Sequence, residues 1–169
     1  LLPERLNAVL ATLYLIFNEG YNASSGDALI RQELSSEAIR LAQILNQLLA
    51  DDPDLAEDAE ALGLLALMLL HDARRPARLG QSGELILLEE QDRSLWDKEQ
   101  VEVGTAVLER ALAMKQPGPY QIQAAIAALH DQAATPQATD WPQIAALYEA
   151  LQQFTSSPVV RLNWAVAVA

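Results

Sequence analysis

The most unusual chemical feature of the chain is a mixed-charge cluster between His71 and Asp97. It holds His71, Asp72, Arg74, Arg75 and Arg78 in HDARRPAR, then Glu89, Gln91, Asp92, Arg93 and Trp96 in EEQDRSLWD. Three kinds of chemistry suit such a group. Cations at the end of a helix complement its dipole, and HDARRP then simply stops the helix before Pro76. Alternatively, the cations pair with Glu89, Asp92 and Asp97 in a buried network that fixes the intervening loop against the core. Clustered ionisable groups also mark ligand, metal or catalytic sites. For that third reading the chain supplies little: His71 and His130 lie far apart without metal-ligand spacing, and no nucleophile stands beside a base. There is no G-x-S-x-G elbow, phosphate loop or G-x-G-x-x-G turn. No catalytic, cofactor-binding or metal-ligating residue is therefore assigned. A second candidate surface comprises Tyr120 and Gln123 at the start of one helix with Arg161 and Asn163 near the end of the chain. These either line a concave surface that grips a peptide or form an ordinary solvated face.

The cluster must be positioned by the stretch before it. From Ala61 to Leu70 every side chain is apolar or glycine, so a helix there, from about Asp54 to Ala73, must be enclosed by other helices. Around it the helical spacing of apolar residues predicts a first helix ending at Asn18 or Glu19 and a loop at Asn22 to Asp27. A second helix over Leu34 to Leu49 takes Ser35 or Ser36 as its cap. RRPARLGQSGE reads as a loop, and Leu85 to Leu88 as either a short extended piece or a helical turn. Asp97 or a neighbour opens a fourth helix to Met114, Tyr120 to Ala134 forms a fifth, Asp140 caps a sixth from Trp141 to Phe154, and Ser157 with Pro158 opens a seventh. The expectation is all-α: antiparallel helical hairpins in a right-handed, TPR-like array of about seven helices. Trp141, Ile144, Ala145 and Tyr148 have the first-helix spacing of a tetratricopeptide repeat, although Ser157 and Arg161 depart from the second-helix pattern.

At 169 residues the chain suits one helical domain, 1–169, with a possible subdivision into 1–96 and 97–169. Its 23 acidic against 11 basic residues, net −12, make it a poor ligand for phosphate backbones. The absence of cysteine excludes disulfides and thiolate metal sites. The longest apolar run is far short of the ~20 residues that cross a bilayer, so no membrane partner and a cytoplasmic location are expected. The chain begins without an initiator Met, in a helical pattern, and stops at AVAVA, which reads as part of something longer.

LYLIFNEGY, EALGLLALMLLHDARRPAR, ELILLEEQDRSLWD, GPYQIQAAIAALH, TDWPQIAALY and SPVVRLNWAVAVA, taken in order, resemble the C-terminal part of extracytoplasmic-function (ECF) sigma factors that carry a TPR-like extension. The resemblance spans nearly the whole chain. It implies a non-enzymatic, cofactor-free regulatory domain of a bacterial transcription-initiation factor. The implied partners are sigma regions 2 and 4 of the same full-length chain and the RNA polymerase core, with promoter DNA reached only through the N-terminal regions upstream of Leu1. No DNA-reading residue of the family maps onto this sequence. The rival expectation is a small-molecule-sensing or enzymatic helical domain built around His71 to Asp97, and a third is a freestanding peptide-binding scaffold.

Overall fold

A computed structural model describes residues 2–21, 28–52 and 56–169. Its centre is α3 (Ala59–Ala73), in which every residue from Ala61 to Leu70 is buried. Leu62, Leu64, Leu65, Leu67, Leu69 and Leu70 retain 0–6% of their surface, and each such burial stabilises the fold by roughly 1.5–3 kcal/mol. A helix that is apolar all round has no face to offer water. The Asp58 carboxylate starts it, accepting from the Ala61 N–H at 2.8 Å. The helix therefore begins at Ala59, later than the expected Asp54.

Four helices enclose α3: α1 (Leu2–Tyr21), α2 (Ala28–Asp51), α5 (Lys98–Ala113) and α6 (Pro119–Gln132). Leu10, Leu13, Phe17, Ala38 and Ala42 pack against one side of it, and Leu108, Ala124 and Ala127 against another. Gly63 permits the closest approach, because a Cβ there would lie 2.8 Å from the Gln121 backbone nitrogen. At the far end Arg74 reaches Ala127 and Asp131. The helices α3 and α6 thus run side by side in the same direction. Beyond α6, α7 (Trp141–Gln152) and α8 (Pro158–Val168) form a further hairpin around Ile144, Leu151 and Ala167.

The all-helical expectation holds: among the described residues the seven longer helices are those expected, and the only extended pairing is an isolated bridge between Leu79 and Leu85. Besides the start of α3, three further boundaries differ, and α6 and α7 each end two residues before the expected Ala134 and Phe154. Helix α1 continues through Gly20 to Tyr21, because Phe17 and Tyr21 stack at 5.3 Å and extend its packed face by a turn. Helix α2 starts at Ala28, so Ser35 is no cap. It is buried inside the helix, donating to the Gln32 carbonyl at 3.1 Å. Pro76 does not merely end a helix but sits in the first turn of a separate one-turn helix, α4 (Arg75–Arg78), where its missing N–H costs nothing. The loop expected at Asn22 to Asp27 lies outside the described residues.

Between α4 and α5 runs a strap, residues 79–97. The Gly80 N–H donates to the Glu84 carbonyl at 2.9 Å across a tight turn in which Gly83 takes φ +84°. The strap returns to its origin when the Asp97 N–H donates to the Ala73 carbonyl at 2.9 Å. Leu85 to Leu88 proves to be both alternatives at once, a bridge at Leu85 and a 3-10 turn from Leu88 to Glu90.

Candidate functional site

Two polar networks radiate from the C-terminal end of α3. In the first, the buried Arg74 donates through Nε to Asp131 Oδ1 at 2.5 Å and through Nη2 to the Ala127 carbonyl at 2.8 Å. The Asp131 side chain is fully buried, and burial pushes its pKa up against the pull of Arg74. Arg93 approaches the same helix end from the strap, its Nη1 donating at 2.6 Å to the carbonyls of both His130 and Ala133. These are carbonyls at the end of α6 that the helix itself leaves without partners, and a guanidinium there complements the dipole. Trp96 is flanked by both cations, 5.5 Å from Arg74 and 4.6 Å from Arg93. Each such interaction adds roughly 0.5–2 kcal/mol.

The second network ties α2, α3 and α5. Arg75 donates from Nε to Asp72 Oδ1 at 2.8 Å and from Nη2 to the Ser35 hydroxyl. Gln100 bridges to Asp72 Oδ2 at 3.1 Å and to the Leu69 carbonyl at 2.9 Å. Beside it His71 stacks on Tyr21 at 5.6 Å, and the Arg78 guanidinium lies 3.7 Å from the Tyr21 ring. Burial, then the Arg74 and Arg78 charges, hold the His71 pKa at about 3. His130, edge-on to Trp141 at 5.4 Å, is held at about 4 by burial and then by Arg74 and Arg93. Both imidazoles are neutral at physiological pH.

Between α1, α3, α6, α7 and α8 these side chains border a groove of about 570 Å³. A second recess of about 450 Å³ continues it toward α7. Leu88, His130, Tyr148 and Asn163 line both halves. Phenols (Tyr14, Tyr21, Tyr148) and carboxamides (Asn18, Gln123, Asn163) supply the polarity, and among its described lining residues the 570 Å³ half holds no carboxylate.

Members of both candidate groups thus meet in one place. His71 and Arg74 from the charged cluster line the groove together with Gln123 and Asn163 from the candidate repeat surface. Glu89 and Arg93 line the adjoining recess. The others lie elsewhere. Tyr120 packs edge-to-face on Tyr14 beneath the groove, and Arg161 is exposed outside it. The expected pairing of the arginines with Glu89, Asp92 and Asp97 is not what the structure shows. Glu89 is exposed, Asp92 accepts from the Ser94 N–H and hydroxyl at 2.9 and 2.6 Å, and Asp97 caps α5 by accepting from Gln100 N–H at 2.9 Å. Short-range caps satisfied those last two carboxylates first. Gln91 donates to the Ile86 carbonyl at 3.2 Å and holds the strap to itself. Sequence reasoning missed Asp131, the real partner. Its signal was an acid in the last turn of a helix, where the dipole disfavours one unless a cation is near. Among the described residues no three His, Asp or Glu side chains gather as a metal would require.

A model of DUF6596, a family of unknown function, matches residues 5–112. An uncharacterized protein of Rhizobium meliloti (strain 1021), R00370, is 47% identical over 165 residues, covering 98% of this chain and 38% of its own length. The chain therefore spans well under half of that relative. No solved structure matches it. Among the described residues no helix is long and apolar enough to cross a membrane.

Proposed function

The chain belongs to the DUF6596 family, and we propose that it is the TPR-like, protein-interacting and regulatory part of an ECF-type sigma factor, acting in bacterial transcription initiation by contact rather than catalysis. The observation that carries this reading is the groove itself. It gathers phenols and carboxamides from α1 and from the consecutive helices α6, α7 and α8, while the charged cluster beside it is spent on holding the strap and α6 in place. Carboxamides and phenols on rigid helices suit the recognition of another chain's main-chain amides. That the relative is much longer than this chain is consistent with a domain that works on neighbouring regions. The proposed partners are sigma regions 2 and 4 of the same factor and the polymerase core, in the cytoplasm, and promoter DNA is engaged only by the upstream regions.

The test is a pull-down of this domain against the isolated upstream sigma regions and against core polymerase, paired with transcription by the factor lacking the domain. Capture by either partner and reduced promoter-dependent output are expected. No capture, with output unchanged, overturns the reading. One observation favours a second function: the groove is large enough for a small molecule, and neutral His71 and His130 add acceptors to it. A ligand-sensing role would appear as saturable binding of a metabolite that changes the pull-down.

A further inference from the structure

The strap contributes a wall to the groove. Leu87, Leu88 and Glu89 border the recess opposite Trp141, Tyr148 and Asn163, and Leu88 reaches into both halves. Yet this wall is loosely made. Leu85 and Leu87 remain 53% and 60% exposed, and apart from one bridge the segment's hydrogen bonds are mostly to itself. The opposite wall is built of α6, α7 and α8 and the turn that joins α6 to α7. Across the recess from it stands an apolar–apolar–acidic run of this chain, Leu87, Leu88 and Glu89, of which Leu87 and Glu89 stay exposed.

The charges agree. Arg93 forms no ion pair among the described residues, and its buried Nε has no acceptor, although it lies in a chain of net charge −12. Glu89 on the strap is the carboxylate among the recess's described lining residues, and Asp131 acts on Arg93 from the buried side. Arg74, by contrast, is already committed to Asp131. A guanidinium held by carbonyls and an indole but by no carboxylate ion pair, beside an apolar recess, favours a carboxylate flanked by apolar side chains.

We infer that the groove docks an extended partner segment in which apolar residues are followed by an acidic one. The carboxylate lies at Arg93, the main-chain amides lie against Asn163 and Gln123, and the chain's own Leu87-Leu88-Glu89, which walls one side of the same site, acts as an internal competitor. This rests on the protein-contact reading above and adds the chemistry of the partner.

The experiment is fluorescence polarisation of a labelled peptide with the sequence of residues 84–92, ELILLEEQD, titrated with the 169-residue chain. A second peptide carries Glu89→Lys, Glu90→Lys and Asp92→Lys. The protein is used as the parent, as Gln123→Ala/Asn163→Ala, and as Leu88→Ser, which loosens the internal segment, with helicity checked for each. Saturable binding to the parent is expected. It weakens by about tenfold or more for the charge-reversed peptide, the scale of removing one charge-assisted hydrogen bond, and for the groove double variant, the scale of removing two neutral ones. Leu88→Ser binds the peptide more tightly than the parent. The inference is overturned if neither the parent nor Leu88→Ser binds, if the charge-reversed peptide binds as well, or if the double variant binds unchanged. Peptide binding without capture of sigma regions or polymerase would sink the transcription reading alone. Capture that ignores Gln123→Ala/Asn163→Ala would sink this inference alone.

Discussion

The two ends of α6 are both held by charged side chains from elsewhere in the chain, but they are held differently. At the N-terminal end one carboxylate does the work: Glu60 accepts from the Tyr120 and Gln121 backbone N–H groups at 2.9 and 3.1 Å. Gly118 leaves room for it, since a Cβ there would lie 2.3 Å from the Glu60 carboxyl carbon. At the C-terminal end two arginines, a buried aspartate and an indole share the task, and Arg93 Nε, Trp96 Nε1 and Asp131 Oδ2 are left buried without partners. Both ends obey the same dipole rule, anion at the start and cation at the finish. The first is a compact structural cap. The second carries more polar groups than α6 needs and borders the groove.

The contrast can be broken by substitution, beginning at the end with the most at stake. Arg74→Met strands the buried Asp131 carboxylate, and losing one partner of a buried pair costs about 3–5 kcal/mol. For a chain of this length that is a fall in Tm of roughly 10 °C, measured by thermal denaturation, and Arg74→Met/Asp131→Leu recovers most of it. Acid acts on the same end. His71 and His130 have folded pKa values of about 3 and about 4, below the ordinary 6.5. The unfolded chain therefore takes up protons first, so their contribution is complete above pH 6.5 and declines as the pH falls through 6.5 toward 4. After solvent screening the loss at pH 5 is roughly 1–2 kcal/mol, and His71→Gln flattens the pH–stability curve over that range.

At the other end Gly63→Ala drives a methyl group into the Gln121 backbone and costs roughly 1–3 kcal/mol by overpacking. The smallest effect is Glu60→Gln. It keeps the shape of the cap but loses its charge and one of its two acceptor oxygens, so denaturant unfolding shows a loss of about 1 kcal/mol. If Glu60→Gln proved more damaging than Arg74→Met, the ranking of the two ends would be reversed.

What the sequence made legible was whatever is decided locally. The apolar run from Ala61 to Leu70 is the enclosed helix, and Asp97 and Asp140 cap helices as read, through Gln100 and Gln143 N–H groups three residues on. The cluster at His71 to Asp97 and the amides at Gln123 and Asn163 were visible as separate features. Their meeting in one groove was not, because it depends on how α3, α6 and α8 are packed. Glu60 reads as an ordinary first-turn acid of α3, and nothing in its neighbours announces that it serves a helix 60 residues away. Arg74 chose Asp131 over the nearer Asp92 and Asp97 because those two were already engaged in caps.

The central claim is that the groove is for recognition and the buried pair is for stability. Its most direct test is calorimetric titration of the proposed partner, regions 2 and 4 of an ECF sigma factor, into the parent chain, Gln123→Ala/Asn163→Ala and Asp131→Asn, with the Tm of each recorded. The account predicts that the groove variant keeps its Tm and loses binding by about tenfold or more, while Asp131→Asn melts earlier and still binds when folded. Binding that survives in the groove variant and disappears in folded Asp131→Asn would contradict it.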